Sequence, residues 1–97
     1  MKYFILFYDV VDDYLERRQE FRAEHLALAT LETNRGLLRY AGAYADPADG
    51  AAMVFRCEDE SVVRAFVDAD PYVANGLVTK WHIREWTVVA GADYAAG

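Results

Sequence analysis

The sequence predicts an α+β fold in which a four-stranded antiparallel sheet carries two helices on one face. Three observations predict it. Two helix-forming stretches without internal Gly or Pro alternate with four short stretches rich in β-branched and aromatic residues. A Pro- and Gly-containing turn joins the middle two of those strands. The length, 97 residues, suits one domain.

Each element has a local cause. Tyr3 to Val10 is dense in aromatic and β-branched side chains and reads as the first strand. Asp12 and Asp13 follow, with side chains suited to an N-cap and charges of the right sign for a helix start. From there to about Arg35 the chain is full of Leu, Ala, Glu and Arg, which predicts one long helix closed by Gly36. Leu37 to Tyr44 reads as the second strand, Ala45-Asp46-Pro47-Ala48-Asp49-Gly50 as a turn, and Ala51 to Cys57 as the third strand. Asp59-Glu60-Ser61 opens a second helix carried by Val62, Val63, Ala65, Phe66 and Val67, and Pro71 ends it after Asp70. Leu77 to Val89 is the last strand. The small-residue tail over 90–97 is expected to be flexible. The chain is thus one domain, 1–97, with its core over about 3–89. The order β-α-β-β-α-β is the split βαβ, ferredoxin-like arrangement, and right-handed crossovers place both helices on the same face of the sheet.

Composition narrows the function. Hydrophobic residues make up 55% and charged residues 27%, an ordinary globular balance that excludes a disordered chain. Sixteen acidic against ten basic residues give a net charge of −6, which argues against nucleic acid and against an anionic membrane surface. A local arginine cluster remains free to bind a small anion. No apolar run approaches the roughly 20 residues that cross a bilayer. The start Met1-Lys2-Tyr3-Phe4 lacks a signal-peptide cleavage site, and the single Cys57 forms no intrachain disulfide, so a cytoplasmic location is expected. Cys57 precedes Glu58-Asp59-Glu60, whose charges disfavour a thiolate. Two histidines without a cysteine pair give no metal-ligand spacing, and Gly42, Gly50 and Gly76 form no phosphate-cradling loop. No metal and no cofactor are expected.

The sheet has two apolar faces. On the first strand Tyr3, Ile5 and Phe7 point one way, and Phe4, Leu6, Tyr8 and Val10 the other. Two helices cover only one of them, so a homodimer packed sheet face to sheet face is expected. A monomer whose tail or loops cover that face is the alternative. His82 shares its face with Val78, Lys80, Arg84 and Trp86, which suits a dimer surface or solvated edge.

The candidate chemistry lies on the first helix. At about 100° per residue, Tyr14, Phe21, His25 and Leu28 form one stripe, flanked by Leu15, Leu26 and Ala29. His25 therefore points at the sheet, and Arg18 and Arg22 lie one turn apart on its flank. Such a buried imidazole is either a core histidine satisfied by a carbonyl or tyrosine hydroxyl, or a general acid or base in a pocket between helix and sheet. Asp70 is its expected partner. A carboxylate has the wrong sign for a helix C-terminus, and the topology brings that end near the first helix. Asp9, at the end of the first strand, is a second and more distant candidate.

These residues resemble a family. Arg22-Ala23-Glu24-His25-Leu26 resembles the R-x-x-H-L motif of YciI-like proteins. Gly36-Leu37-Leu38 with Ala41-Gly42 is similar to their second-strand signature. The helix from Ser61 through Ala69 into Asp70-Pro71-Tyr72, then Gly76-Leu77, resembles their DPY…GL motif, and Trp86 matches an aromatic near the end of the last strand. The resemblance runs from about Tyr3 to Val89. It implies a dimeric α+β barrel and an active-site pair at His25 and Asp70. One departure is Ala43, where the family often has proline.

The expected function is a small-molecule enzyme of proton-transfer type, with lyase or isomerase-like chemistry on a small cyclic or aromatic oxygenated substrate. His25 is the general base or acid and Asp70 orients it. Arg22 and Arg18 stabilise an anionic substrate or intermediate, and Tyr14 and Tyr72 complete the binding wall. A non-catalytic ligand-binding or regulatory dimer is the alternative, and a flavin-free oxygenase on the same fold is a third.

Overall fold

The computed structural model describes residues 1–92, and its four strands form one antiparallel sheet in the order β2-β3-β1-β4. β1 (Lys2–Val10) is central, with β3 (Gly50–Cys57) on one side and β4 (Val78–Trp86) on the other; β2 (Leu38–Ala43) is the edge beyond β3. Leu6 faces Met53 on β3 and Ile83 on β4, so the central strand pairs along nearly its whole length. The hairpin turn depends on Gly50. A Cβ there would lie 2.7 Å from the Tyr44 ring and 2.7 Å from the Tyr8 carbonyl oxygen.

The alternation read from β1 holds. Phe4, Leu6 and Tyr8 are buried beneath the helices with Leu38, Met53, Phe55 and Cys57. Val63, Phe66 and Val67 of α3 (Glu60–Ala69) close this core from above. Asp59 caps α3, its side chain accepting from the Ser61 N–H at 2.8 Å, as expected from Asp59-Glu60-Ser61. Tyr3, Ile5 and Phe7 lie half-buried on the opposite face, where the Phe7 ring stacks on His82 at 4.8 Å. Residues 88–92 return over one corner of that face and share a shallow groove with Tyr3, Tyr40, Val54 and Trp86. Residues 90–92 are the part of the expected tail that is described. Its remainder, 93–97, lies outside the described residues.

The first helix departs from expectation. In place of one helix to Arg35 there is a short α1 (Tyr14–Arg17), a 3-10 turn over Arg18–Glu20, and then α2 (Arg22–Asn34). Phe21 sits at φ −110°, ψ 1°, between the two helices. The cause is tertiary. Tyr14 is buried against Tyr72 and Leu77 with Phe21 beside them, a cluster separate from the main core. The break also upsets the predicted stripe: Leu15 and Leu26 are exposed. Asp13 stands at the head of α1 but makes no side-chain cap; it pairs weakly with Arg17 instead.

The second helix also has a sequel. Pro71 ends α3 and opens a further turn of helix, α4 (Pro71–Ala74). Both α2 and α4 end the same way. Gly36 and Gly76 adopt φ of +77° and +76°, and the N–H groups of Leu37 and Leu77 bond back to the carbonyls of Glu32 and Tyr72 at 3.0 and 2.9 Å. Each Gly-Leu pair is therefore a Schellman stop, in which only glycine takes the left-handed position without strain.

Candidate active site

Asp70 organises the site. It joins α3 to α4 in an extended conformation, and its carboxylate is wholly buried. The carboxylate that misfits the end of α3 serves the start of α4, where its Oδ1 accepts from the Tyr72 N–H at 3.0 Å. The same Oδ1 accepts from His25 Nδ1–H at 2.8 Å, and Oδ2 accepts from the Tyr8 hydroxyl at 2.7 Å. Three donors from three separate elements thus converge on one buried carboxylate, which offsets the cost of its desolvation.

His25 stands in the first turn of α2, its N–H bonded to the Phe21 carbonyl at 3.0 Å. Its side chain is only 13% exposed. The imidazole stacks on the Tyr72 ring at 3.9 Å and 10° and meets the edge of Phe66. A carboxylate only accepts, so Nδ1 carries a proton, and Nε2 is the ring nitrogen left over for other chemistry.

A cavity of about 400 Å³ opens between α2 and the strands β1, β2 and β3. His25, Tyr8, Tyr14 and Tyr72 form its inner wall, with Arg18, Arg22 and Arg39 around them. No Asp or Glu among the described residues lines it, so this cavity is cationic within a chain of net charge −6. Arg18 lies over the Tyr14 ring, 5.3 Å from its centroid. The volume suits a single-ring ligand. Ala43, the position that departs from the YciI-like pattern, is on the cavity wall.

All six predicted site residues, His25, Asp70, Arg22, Arg18, Tyr14 and Tyr72, meet at this place: five line the cavity and Asp70 backs His25 from behind. Asp9 takes no part; it is exposed, and its carbonyl accepts from Thr79. Cys57 is buried, and burial followed by the Asp59 charge pushes its thiol up, away from reactivity. The residue that sequence reasoning missed is Tyr8. Its signal was a phenol within an otherwise apolar run, since a buried hydroxyl needs a partner.

Tyr8 carries a pH prediction. Burial, then the Asp70 charge and hydrogen bond, push its phenol far above the ordinary tyrosine value. The unfolded chain releases this proton near about pH 10, while the folded chain retains it. The stabilisation is complete below that pH and declines as pH rises, by up to about 1.4 kcal/mol per unit. Urea titrations between pH 9 and 11 should show this decline in the wild type and a shallower one in Tyr8→Phe. The variant should start about 1.5–3 kcal/mol lower because Asp70 loses a donor. Equal slopes would show that Tyr8 does not carry the effect.

A β-α-β-β-α-β sheet with a histidine–carboxylate pair on a cavity wall defines a ferredoxin-like α+β protein. The chain belongs to the YCII-related domain family, whose profile matches residues 1–87. Among solved structures it is similar to 5-chloro-2-hydroxyhydroquinone dehydrochlorinase (TftG) from Burkholderia phenoliruptrix AC1100, in complex with 2,5-dihydroxybenzoquinone. That likeness has a TM-score of 0.73 and 22% identity, over 88% of this chain and 93% of that one. It is also similar to protein Atu4242 from Agrobacterium tumefaciens, with a TM-score of 0.60 and 13% identity over 90% and 92% of the two chains. An uncharacterized NIPSNAP domain protein from Burkholderia xenovorans matches with a TM-score of 0.56 and 15% identity over 98% and 99%. No curated protein sequence matches the chain significantly. Among the described residues no helix is long and apolar enough to cross a membrane.

Proposed function

We propose that this chain is a cytoplasmic small-molecule enzyme of proton-transfer type, with lyase or isomerase chemistry on a small cyclic or aromatic oxygenated substrate. The observation that carries the reading is the 2.8 Å contact between His25 Nδ1 and Asp70 Oδ1 on the wall of a cationic cavity. Nε2 takes a proton from the substrate beside a carbonyl, and the imidazolium so formed is stabilised by the Asp70 carboxylate. The electron pair moves onto the carbonyl oxygen, and Arg22 and Arg18 stabilise that oxyanion. The pair then returns either to expel a leaving group or to take the proton back at another carbon. A solved neighbour named as a dehydrochlorinase, holding a dihydroxybenzoquinone, supports a substrate of this class.

The test is turnover. Chlorinated and hydroxylated quinols, 5-chloro-2-hydroxyhydroquinone first, are offered to the wild type and to His25→Ala, with chloride release and ultraviolet absorbance as readouts. Turnover in the wild type that collapses in the variant supports the reading. Undiminished turnover in His25→Ala overturns it.

The assembly we propose is a homodimer through the open sheet face. Tyr3, Ile5 and Phe7 stay half-buried there with no helix above them among the described residues, and Trp86 is 47% exposed beside them. Sedimentation at micromolar concentration should give twice the 11.0 kDa chain mass. Ile5→Lys, which buries a charge in the proposed contact, should return the monomer. A wild type that sediments as a monomer would sink the assembly.

A further inference from the structure

Among the tyrosines that line the cavity, Tyr8, Tyr14, Tyr40 and Tyr72, the buried hydroxyls of Tyr8 and Tyr72 stand in contrast. That of Tyr8 is committed to Asp70. Tyr72 is 1% exposed, and among the described residues no group bonds its buried hydroxyl. An orphan of this kind is rare in a folded chain, and a phenylalanine would fill the same space without the cost. The ring has no freedom to swing towards another partner. Its backbone N–H is held by Asp70, its face lies on His25, and it meets Tyr14 edge-on at 5.8 Å.

The surroundings say what the hydroxyl recognises. Burial and Tyr14 push the phenol up, while Arg22 and Arg18 act in the opposite sense, Arg22 both by its charge and by a polar approach to the hydroxyl. That approach falls short of full hydrogen-bond geometry. All of these side chains line the one cavity. A donor hydroxyl flanked by two cations fits an anionic oxygen, and the stacked His25 ring puts the proton acceptor beside it.

Resting on the proton-transfer reading of this site, we propose that the Tyr72 hydroxyl recognises the substrate by donating to a ring oxyanion held between it, Arg22 and Arg18. The substrate class is then a hydroxylated ring already ionised at neutral pH, an enolate or phenolate, which uncharged carbonyl rings do not replace. Tyr72 is the residue that selects it.

The experiment is calorimetric titration of the full chain with 2,5-dihydroxybenzoquinone, which is ionised at neutral pH, and with its uncharged dimethyl ether. The wild type should bind the anion at least roughly tenfold tighter than the ether. Tyr72→Phe should lose about tenfold or more on the anion and nothing on the ether. Its melting temperature should be equal or higher, because the orphan hydroxyl is gone; a merely structural tyrosine would show a lower one. Undiminished anion binding by Tyr72→Phe overturns the proposal, as does a wild type that prefers neither compound or binds neither. These failures differ from failure of the proton-transfer reading, which appears as undiminished turnover in His25→Ala.

Discussion

Asp70→Ala is expected to lose about 3–5 kcal/mol of folding stability, the usual cost of breaking a buried charge network by removing one partner. The carboxylate is fully buried and accepts from Tyr8 on β1, from His25 on α2 and from the Tyr72 N–H on α4. Alanine leaves all three donors without an acceptor and removes the cap from α4. Against a total of roughly 5–15 kcal/mol for a domain, the loss is a large fraction. Urea unfolding should show a lower midpoint with an unchanged slope. Asp70→Asn should lose less. Its oxygen still accepts from His25 and from the Tyr72 N–H, and its amide asks the Tyr8 hydroxyl to accept instead of donate. A loss below about 1 kcal/mol in Asp70→Ala would show that the three contacts do not support one another.

The convergence on Asp70 explains which parts of the site were legible in the sequence. His25 stood on an apolar helical stripe, where an imidazole needs a partner, and Asp70 stood where its charge misfits a helix end. Each anomaly pointed at the other. The second half of the answer was hidden because α4 had no signature of its own; it is four residues long and begins with the proline that ends α3. Once α4 exists, Asp70 is also an N-cap, and its sign is no longer anomalous. Tyr8 stayed hidden for a different reason. Alternation along β1 marks it as a core side chain, and alternation carries no information about where a hydroxyl points.

The sheet was readable because strand periodicity and the Pro47–Gly50 turn are local. The division between α1 and α2 was not. The stretch around Phe21 has good helix formers and no breaker, so propensity favours continuity. What breaks it is the second hydrophobic cluster of Tyr14, Tyr72 and Leu77, whose members are far apart in the chain. Gly36 shows the opposite case. Its meaning as a helix stop lies in the local hydrogen bond from Leu37, so the glycine sufficed to mark the end of the first helix, whereas Gly76 ends a helix that was not foreseen.

His25→Ala is expected to lower kcat/KM by about 10²–10⁴-fold, the usual contribution of a positioned acid or base. The loss should fall on kcat with KM changed only a few-fold, because the cavity's arginines and Tyr72 remain to bind the substrate. Stability should separate the two members of the pair. Without His25, the Asp70 carboxylate still accepts from Tyr8 and from the Tyr72 N–H, so the variant should lose only about 1–3 kcal/mol. His25→Ala therefore tests chemistry on a folded chain, whereas Asp70→Ala removes fold and chemistry together. Added imidazole gives a readout that a structural role would not move. The variant leaves a ring-sized space beside Tyr72 and Asp70, and free imidazole placed there restores a base with the same orienting carboxylate. Recovery of turnover with imidazole, and none with a non-basic ring of the same size, is the expected result. Equal recovery with both would assign His25 to packing and return the proton transfer to another group.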